Sequence, residues 1–404
     1  MMTSMMVKTN TKRKRRLLSC IWLLTVLFLV LALTGCKSNQ PRDFKTIAAD
    51  GSMTQAQKVE EILSGMSLEE KVGQMILAGV TGKELDPTAQ GLFDRYHFGG
   101  VVEFDFNMET IPQVQALNEQ LQKVGGEKLP LFIAIDEEGG QVARMRHALT
   151  PPPSQLSIAQ SGKPELAKEW AMKISPKLKE LGFNTNFAPV ADLGSFKDRH
   201  YSNNPKIAAD FVEQAAMGYE ESGMLYSLKH FPGIGRGKTD THKDTVVVDA
   251  TLEQLNDADV APFVRVINRN TNDKQMIMVS HVVYSKVSGQ IPASLSPEIM
   301  TKLLRERLGY KGIIITDDMG MGAVSRHYKP GEAAVASVMA GADVVMSCHI
   351  YENQKETAEA LLSAVRSGKI SEERINESLR RIIRAKLNLA APRMGLIIKR
   401  SFDE

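Results

Sequence analysis

Eight short apolar runs separated by helical patterns predict an α/β fold: a (β/α)8 barrel forming a single domain. The runs are Gln74–Gly79, Gly100–Phe104, Leu131–Asp136, Thr185–Val190, Leu225–His230, Met276–His281, Gly312–Asp317 and Asp343–Ser347. Continuous rather than alternating apolar stretches suit strands covered on both faces of a parallel sheet. Eight strand and helix units in about 330 residues match the size of a barrel with some enlarged loops. An open doubly wound sheet ordinarily carries a glycine fingerprint at its first turn, and none follows Gln74–Gly79.

The helical elements have local causes. Ser67-Leu68-Glu69-Glu70 has the spacing of a capping box and predicts a short helix leading into the first strand. Within Glu165–Leu181, Leu166, Trp170, Ile174 and Leu178 recur every four residues, which predicts an amphipathic helix, and Pro297–Leu308 reads the same way. Residues 373–388 place Ile375, Leu379, Ile382, Ile383 and Leu387 at helical spacing. This predicts a helix covering the barrel with a solvated basic face, in preference to one lying on a membrane.

Composition narrows the classes further. The 404 residues are 43% hydrophobic and 24% charged, an ordinary globular balance. The net charge of +3 is unevenly distributed. Lys8, Lys12, Arg13, Lys14, Arg15 and Arg16 fall in the first 36 residues with no acidic partner, which leaves 44 basic against 47 acidic residues elsewhere. A mildly acidic body argues against nucleic acid as a partner.

After the basic cluster, Leu17 to Leu33 is uncharged and nearly all apolar, and it closes on Leu33-Thr34-Gly35-Cys36. A basic segment, an apolar segment and small residues at a cleavage point compose an export signal. The last four residues resemble a bacterial lipobox, which implies cleavage after Gly35, lipidation of Cys36 and a membrane anchor. An uncleaved anchor helix is the simpler alternative, and either places the body outside the cytoplasm. Residues 36–52 read as the lipidated cysteine and a polar tether, with the barrel over 53–404. With Cys20 in the signal and Cys36 lipidated, Cys348 has no partner, so no internal disulfide is expected.

A barrel gathers its chemistry at the C-terminal ends of its strands. Here those ends read Asp136-Glu137-Glu138-Gly139-Gly140, Asp192, Lys229-His230, His281 and Asp317-Asp318. The densest stretch, Lys229–His242, holds Gly233, Gly235 and Gly237 and ends in Asp240-Thr241-His242. The glycines call for a loop, and a carboxylate two residues from a histidine can orient the imidazole as a proton donor and acceptor. On spacing alone a solvated polar loop reads equally well.

Lys229–His242 resembles the Lys-His-Phe-Pro-Gly-His-Gly loop, ending in Asp-Ser-His, of glycoside hydrolase family 3 in its β-N-acetylglucosaminidase branch. Ser67–Met75, Ala134–Arg144 (AIDEEGGQVAR), Asn186–Asp192 (NFAPVAD) and Ile315–Met319 (ITDDM) resemble four further segments in the same order. The resemblance implies Asp317 as nucleophile and Asp240 with His242 as the acid/base dyad. It places Asp136, Arg144, Arg199, Lys229 and His230 on the sugar. It implies a retaining β-N-acetylhexosaminidase acting on an oligosaccharide or muropeptide, with no cofactor and no metal, working as a monomer. Asp318 is expected to flank the nucleophile, and His281 to be a satisfied barrel histidine. Ile234 stands where the family usually has a second histidine, and Thr241 replaces serine.

Three rivals remain in view. A metal-dependent amidohydrolase would use His230, His281 and Asp317 but needs a His-x-His pair on the first strand, where Gln74–Gly79 has none. A sugar-binding lipoprotein without turnover would discard the Asp317 and Asp240/His242 set. The larger β-glucosidases of the same family carry an additional domain that supplies a carboxylate acid.

Overall fold

The computed structural model describes residues 42–126, 129–194, 198–237, 245–271 and 273–390. The chain divides into residues 1–43 and 44–404, and every element named here belongs to the second unit.

All eight expected strands form. They are β1 (Ile76–Ala78), β2 (Gly100–Glu103), β3 (Phe132–Ile135), β4 (Thr185–Asn186), β5 (Leu225–Phe231), β6 (Gln275–Val279), β7 (Ile313–Asp318) and β8 (Val344–Met346). They close into one barrel in sequence order, and every pairing is parallel. Asp317 is the one strand residue that is not buried. β4 is shorter than the run Thr185–Val190 because Pro189 has no N–H to give a ladder; pairing resumes with a bridge from Val190 to Lys229.

Two register shifts lie near the C-terminal ends of barrel strands. On β5 the shift against β6 falls between Leu228 and Phe231, and on β7 the shift against β8 falls between Ile315 and Asp318. Each puts one extra residue into a strand, which re-aims the side chains there. The residues so displaced are Lys229-His230 and Thr316-Asp317.

The helices follow the predicted patterns with informative departures. Ser67 caps Leu68–Gly73, accepting from the Glu70 N–H while the Glu70 carboxylate accepts from the Ser67 N–H. In Glu165–Glu180 the buried stripe is Ala167, Ala171, Ile174 and Leu178, whereas Leu166 and Trp170 are only partly covered. Glu298–Arg307 is wound as a π-helix. The body also begins before residue 53: Phe44–Ala49 is helical and buries Phe44 and Ile47, two apolar residues one turn apart inside the expected tether.

The C-terminal helix Glu372–Ala390 buries Ile375, Leu379, Ile382, Ile383 and Leu387 as the pattern requires. Its basic face is not merely solvated. Arg381 binds Asp343 at 2.9 Å, Arg374 lies 3.8 Å from the same carboxylate, and Ser378 donates to it at 2.7 Å. Lys386, fully buried, reaches Gln74 Oε1 at 2.6 Å and the Gly99 carbonyl at 2.9 Å. Burial pushes its ammonium well below the ordinary lysine range. These contacts tie the helix to the N-terminal end of the barrel, opposite the chemistry. Among the described residues no helix is long and apolar enough to cross a membrane.

Candidate active site

Asp136, immediately after β3, anchors the site. Its Oδ1 accepts from Lys229 Nζ at 2.6 Å and its Oδ2 from Arg144 Nη2 at 3.0 Å. Burial alone would raise this carboxyl, yet the two cations hold it far below the usual carboxylate range. Lys229 also reaches Glu138 Oε1 at 2.6 Å, and Glu138 takes Nε and Nη2 of Arg199, each at 2.8 Å, as a two-pronged pair. Burial opposes ionisation of Glu138 as well, but Lys229 and Arg199 bring it down to about 2. Four residues from the turn after β3, from β5 and from the segment after β4 thus form one ionic network, extended by Arg144.

The turn after β3 explains how these carboxylates converge. Glu137–Gly139 and Val142–Ala143 make a small antiparallel hairpin. Gly139 has φ +95°, and a Cβ there would lie 2.5 Å from the Pro153 carbonyl oxygen, so glycine is required. Glu137 Oε2 accepts from the Arg144 N–H at 2.8 Å, and the Glu137 N–H donates to Asn186 Oδ1 at 3.0 Å. Asn186 on β4 therefore clamps the hairpin that presents Arg144. Among the described residues Arg144 Nε and Glu137 Oε1 have no partner.

At the bulge of β5, His230 is fixed by Asp192. Its Nδ1 lies 2.8 Å from Asp192 Oδ2, while Asp192 Oδ1 accepts the backbone N–H groups of His230 and Ile234, each at 3.0 Å. Burial would raise Asp192, and His230 with these donors holds it low. Ile234, where the resemblance expects histidine, turns its side chain onto the hydrophobic core. Gly235 packs so tightly that a Cβ would sit 1.3 Å from the Leu193 carbonyl oxygen. Asp240 and His242 lie outside the described residues, as does Cys36.

On β7, Asp317 is partly exposed and its Oδ1 accepts the Asp318 N–H at 2.9 Å. Asp318 points elsewhere: Oδ1 receives the N–H groups of Gly320 and Cys348 at 3.2 and 3.3 Å, and Oδ2 lies 3.2 Å from His349 Nε2. Burial raises Asp318, with Asp317 adding to the rise and His349 opposing it. The buried Cys348 thiol is pushed well up, first by burial and then by the charges of Asp318, Asp136 and Asp317.

His281 is fully buried, as the bland expectation had it. Its Nε2 donates to the Asp318 carbonyl at 2.9 Å and its Nδ1 lies 2.6 Å from the Ser294 hydroxyl. Both ring nitrogens are engaged by protein, so His281 has none left for a metal, which removes a ligand the amidohydrolase reading needs. Among the described residues no group of three or more His, Cys, Asp or Glu side chains is placed to hold a metal.

The barrel, the bulged Lys229-His230 and the partly exposed Asp317 fit a family that matches residues 67–385, the glycosyl hydrolase family 3 N-terminal domain. The chain belongs to glycosyl hydrolase family 3. It is 32% identical over 347 residues to beta-hexosaminidase A of Pseudoalteromonas piscicida, covering 78% of this chain and 58% of that one. It is 33% identical over 287 residues to a beta-hexosaminidase of Stenotrophomonas maltophilia, covering 68% of this chain and 83% of the relative. Among solved structures, a family 3 beta-N-acetylglucosaminidase from a Paenibacillus species superposes with TM-score 0.78 at 36% identity. That match covers 83% of this chain and 65% of the other. The chain thus spans somewhat under two thirds of some of its relatives.

Of the expected site residues, Asp136, Arg144, Arg199 and Lys229 are joined through Glu138 in one ionic network, and His230 follows Lys229 on β5 and pairs with Asp192. Sequence reading gave no role to Glu138, although it joins Arg199 to Lys229; the signal was its place in the Asp-Glu-Glu run. Asp192 was noticed only as a strand end. His349 and Phe104, which pack at the rim, gave no sequence signal.

Proposed function

We propose that this family 3 protein is a retaining glycosidase that removes terminal β-linked N-acetylglucosamine or a related N-acetylhexosamine. The observation that carries the reading is Asp317, the one residue of the eight barrel strands that is not buried, standing at a bulged strand end on the same mouth of the barrel as the ion-paired Asp136. A carboxylate so placed suits attack on an anomeric carbon. Asp136, Arg144, Lys229 and His230 hold the sugar by charge-assisted hydrogen bonds to its hydroxyls. Arg199, which gives two nitrogens to Glu138, fixes that carboxylate beside the sugar.

The reaction proceeds in two displacements. Asp317 forms a bond to the anomeric carbon as the bond to the leaving oxygen breaks, and protonated His242, oriented by Asp240, gives its proton to that oxygen. The product is a glycosyl ester of Asp317. Neutral His242 then takes a proton from water, whose oxygen attacks the anomeric carbon and releases the Asp317 carboxylate. Two inversions give net retention.

The relatives named beta-hexosaminidase, and the export signal with Cys36, support cell-wall fragments or other external glycans as substrates, met by a lipid-anchored enzyme. The deciding experiment compares an aryl β-N-acetylglucosaminide with the aryl β-glucoside, with Asp317→Ala and His242→Ala as controls. Equal rates on both sugars, or full activity in Asp317→Ala, overturn the assignment. Anchoring is tested by Cys36→Ala, which should release the protein from membranes.

A further inference from the structure

At the mouth of the barrel three rings make a continuous surface that the chemistry above does not use. Phe104 stacks with Phe106 at 5.8 Å between centroids and meets His349 at a tilt at 4.6 Å, and Phe106 and His349 are 6.1 Å apart. The two phenylalanines follow β2 and the histidine follows β8, so the shelf bridges the end of β1 and adjoins β7, which carries Asp317. His349 is held in place by Asp318 at 3.2 Å, one residue from the nucleophile. Arg144 lies over the other end, 5.8 Å from the Phe104 ring, and pairs with the exposed Asp105 at 3.3 Å.

We propose that this shelf binds the sugar on the leaving-group side of the scissile bond, a reading that rests on the glycosidase activity proposed above. Exposure decides which sugar. The groups around the Asp136 network are nearly sealed, with Lys229 at 3% and Glu138 at 1% side-chain exposure, whereas His349 is 44% exposed and Phe106 46%. A terminal residue fills the closed end of such a pocket, and the residue that follows it lies at the open rim. A pyranose carries an apolar C–H face and a hydroxyl edge. Aromatic rings beside an exposed carboxylate offer the matching surfaces, the rings to the face and Asp105 to the hydroxyls.

The test compares two donors of the same N-acetylglucosaminyl group, N,N′-diacetylchitobiose, whose leaving group is a sugar, and N-acetylglucosaminyl fluoride, whose leaving group has no ring. Phe106→Ala should lower the ratio of kcat/KM for chitobiose to that for the fluoride by about five- to tenfold, mainly through KM. Phe106→Trp, which keeps a ring, should restore the ratio. Thermal unfolding checks that both variants fold, as a half-exposed side chain allows. A wild-type chain that cleaves both donors with a ratio unmoved in Phe106→Ala overturns the shelf alone. A parallel fall on both donors overturns it too, since that is damage to the sugar pocket. A wild-type chain that cleaves neither donor overturns the activity on which the shelf depends.

Discussion

Lys229 Nζ lies 2.6 Å from Glu138 Oε1, with the lysine side chain 3% and the glutamate side chain 1% exposed. The ammonium also binds Asp136, so one cation bridges two carboxylates that would otherwise repel. Removing one member of such a group costs far more than the group contributes, because the remaining charges stay buried without compensation.

Lys229→Met should therefore destabilise the fold by about 3–5 kcal/mol at neutral pH. In the wild type the Glu138 carboxyl falls from an ordinary 4.5 to about 2, so its contribution is present above pH 4.5 and is lost as pH drops toward 2. Without Lys229, burial and the neighbouring Asp136 charge favour the protonated form, and the deficit should shrink on acidification from pH 7 to 5. Urea midpoints of both proteins at the two pH values check this. An equal deficit at both would mean that Lys229 acts through packing instead.

Glu103 at the end of β2 presents the opposite case. It is fully buried, neither carboxylate oxygen has a partner among the described residues, and burial pushes it up to about 8. The folded state then holds a proton that the unfolded chain has released above pH 4.5. Stability contributed at this residue falls as pH rises from 4.5 to 8, by up to about 1.4 kcal/mol per unit. Glu103→Met should be more stable than the wild type, by a margin that widens over that interval. A margin independent of pH in denaturant titrations would rule out a buried titrating carboxyl.

Asp192 accepts three donors, the backbone N–H groups of His230 and Ile234 and the His230 ring at Nδ1. Asp192→Ala leaves them buried and unmet, at about 1–3 kcal/mol each. The expected result is a strongly destabilised protein whose surviving folded fraction has lost sugar affinity, seen as a raised KM. Asp192→Asn keeps an acceptor at one atom and should recover part of the stability. Identical midpoints for the two variants would exclude this bonding as the reason for the arrangement.

These residues also show what the sequence could and could not reveal. The barrel was legible because each strand is buried on both faces and so reads as an unbroken apolar run. Lys229, His230 and Asp317 stand out in the sequence because each is a charged or polar residue closing an apolar run, and the structure places all three at the C-terminal ends of barrel strands. The bulges that turn them do not stand out, since a one-residue register shift leaves no mark in composition. Glu138 was unassigned because its partners lie 61 and 91 positions away, at Arg199 and Lys229. Phe44 and Ile47 escaped notice because two apolar residues in a polar stretch are too few to establish a period. The aromatic shelf joins residues from opposite ends of the chain, Phe104 and His349, that become neighbours only when β8 closes onto β1.

Ile234 offers the sharpest check on how the glycine-rich loop works. Its N–H binds Asp192 and its side chain packs on the core, so the backbone after β5 is pinned at this point without a second histidine. Ile234→His would move a polar ring onto an apolar surface and cost about 1–3 kcal/mol. Because Asp192 receives the backbone N–H and not the side chain, the pairing with His230 should survive the exchange. The variant should therefore keep the wild-type KM for an aryl β-N-acetylglucosaminide while kcat changes, since the loop that continues toward Asp240 and His242 starts from this residue. A raised KM with unchanged kcat would show that Ile234 shapes the sugar pocket rather than the loop leaving it.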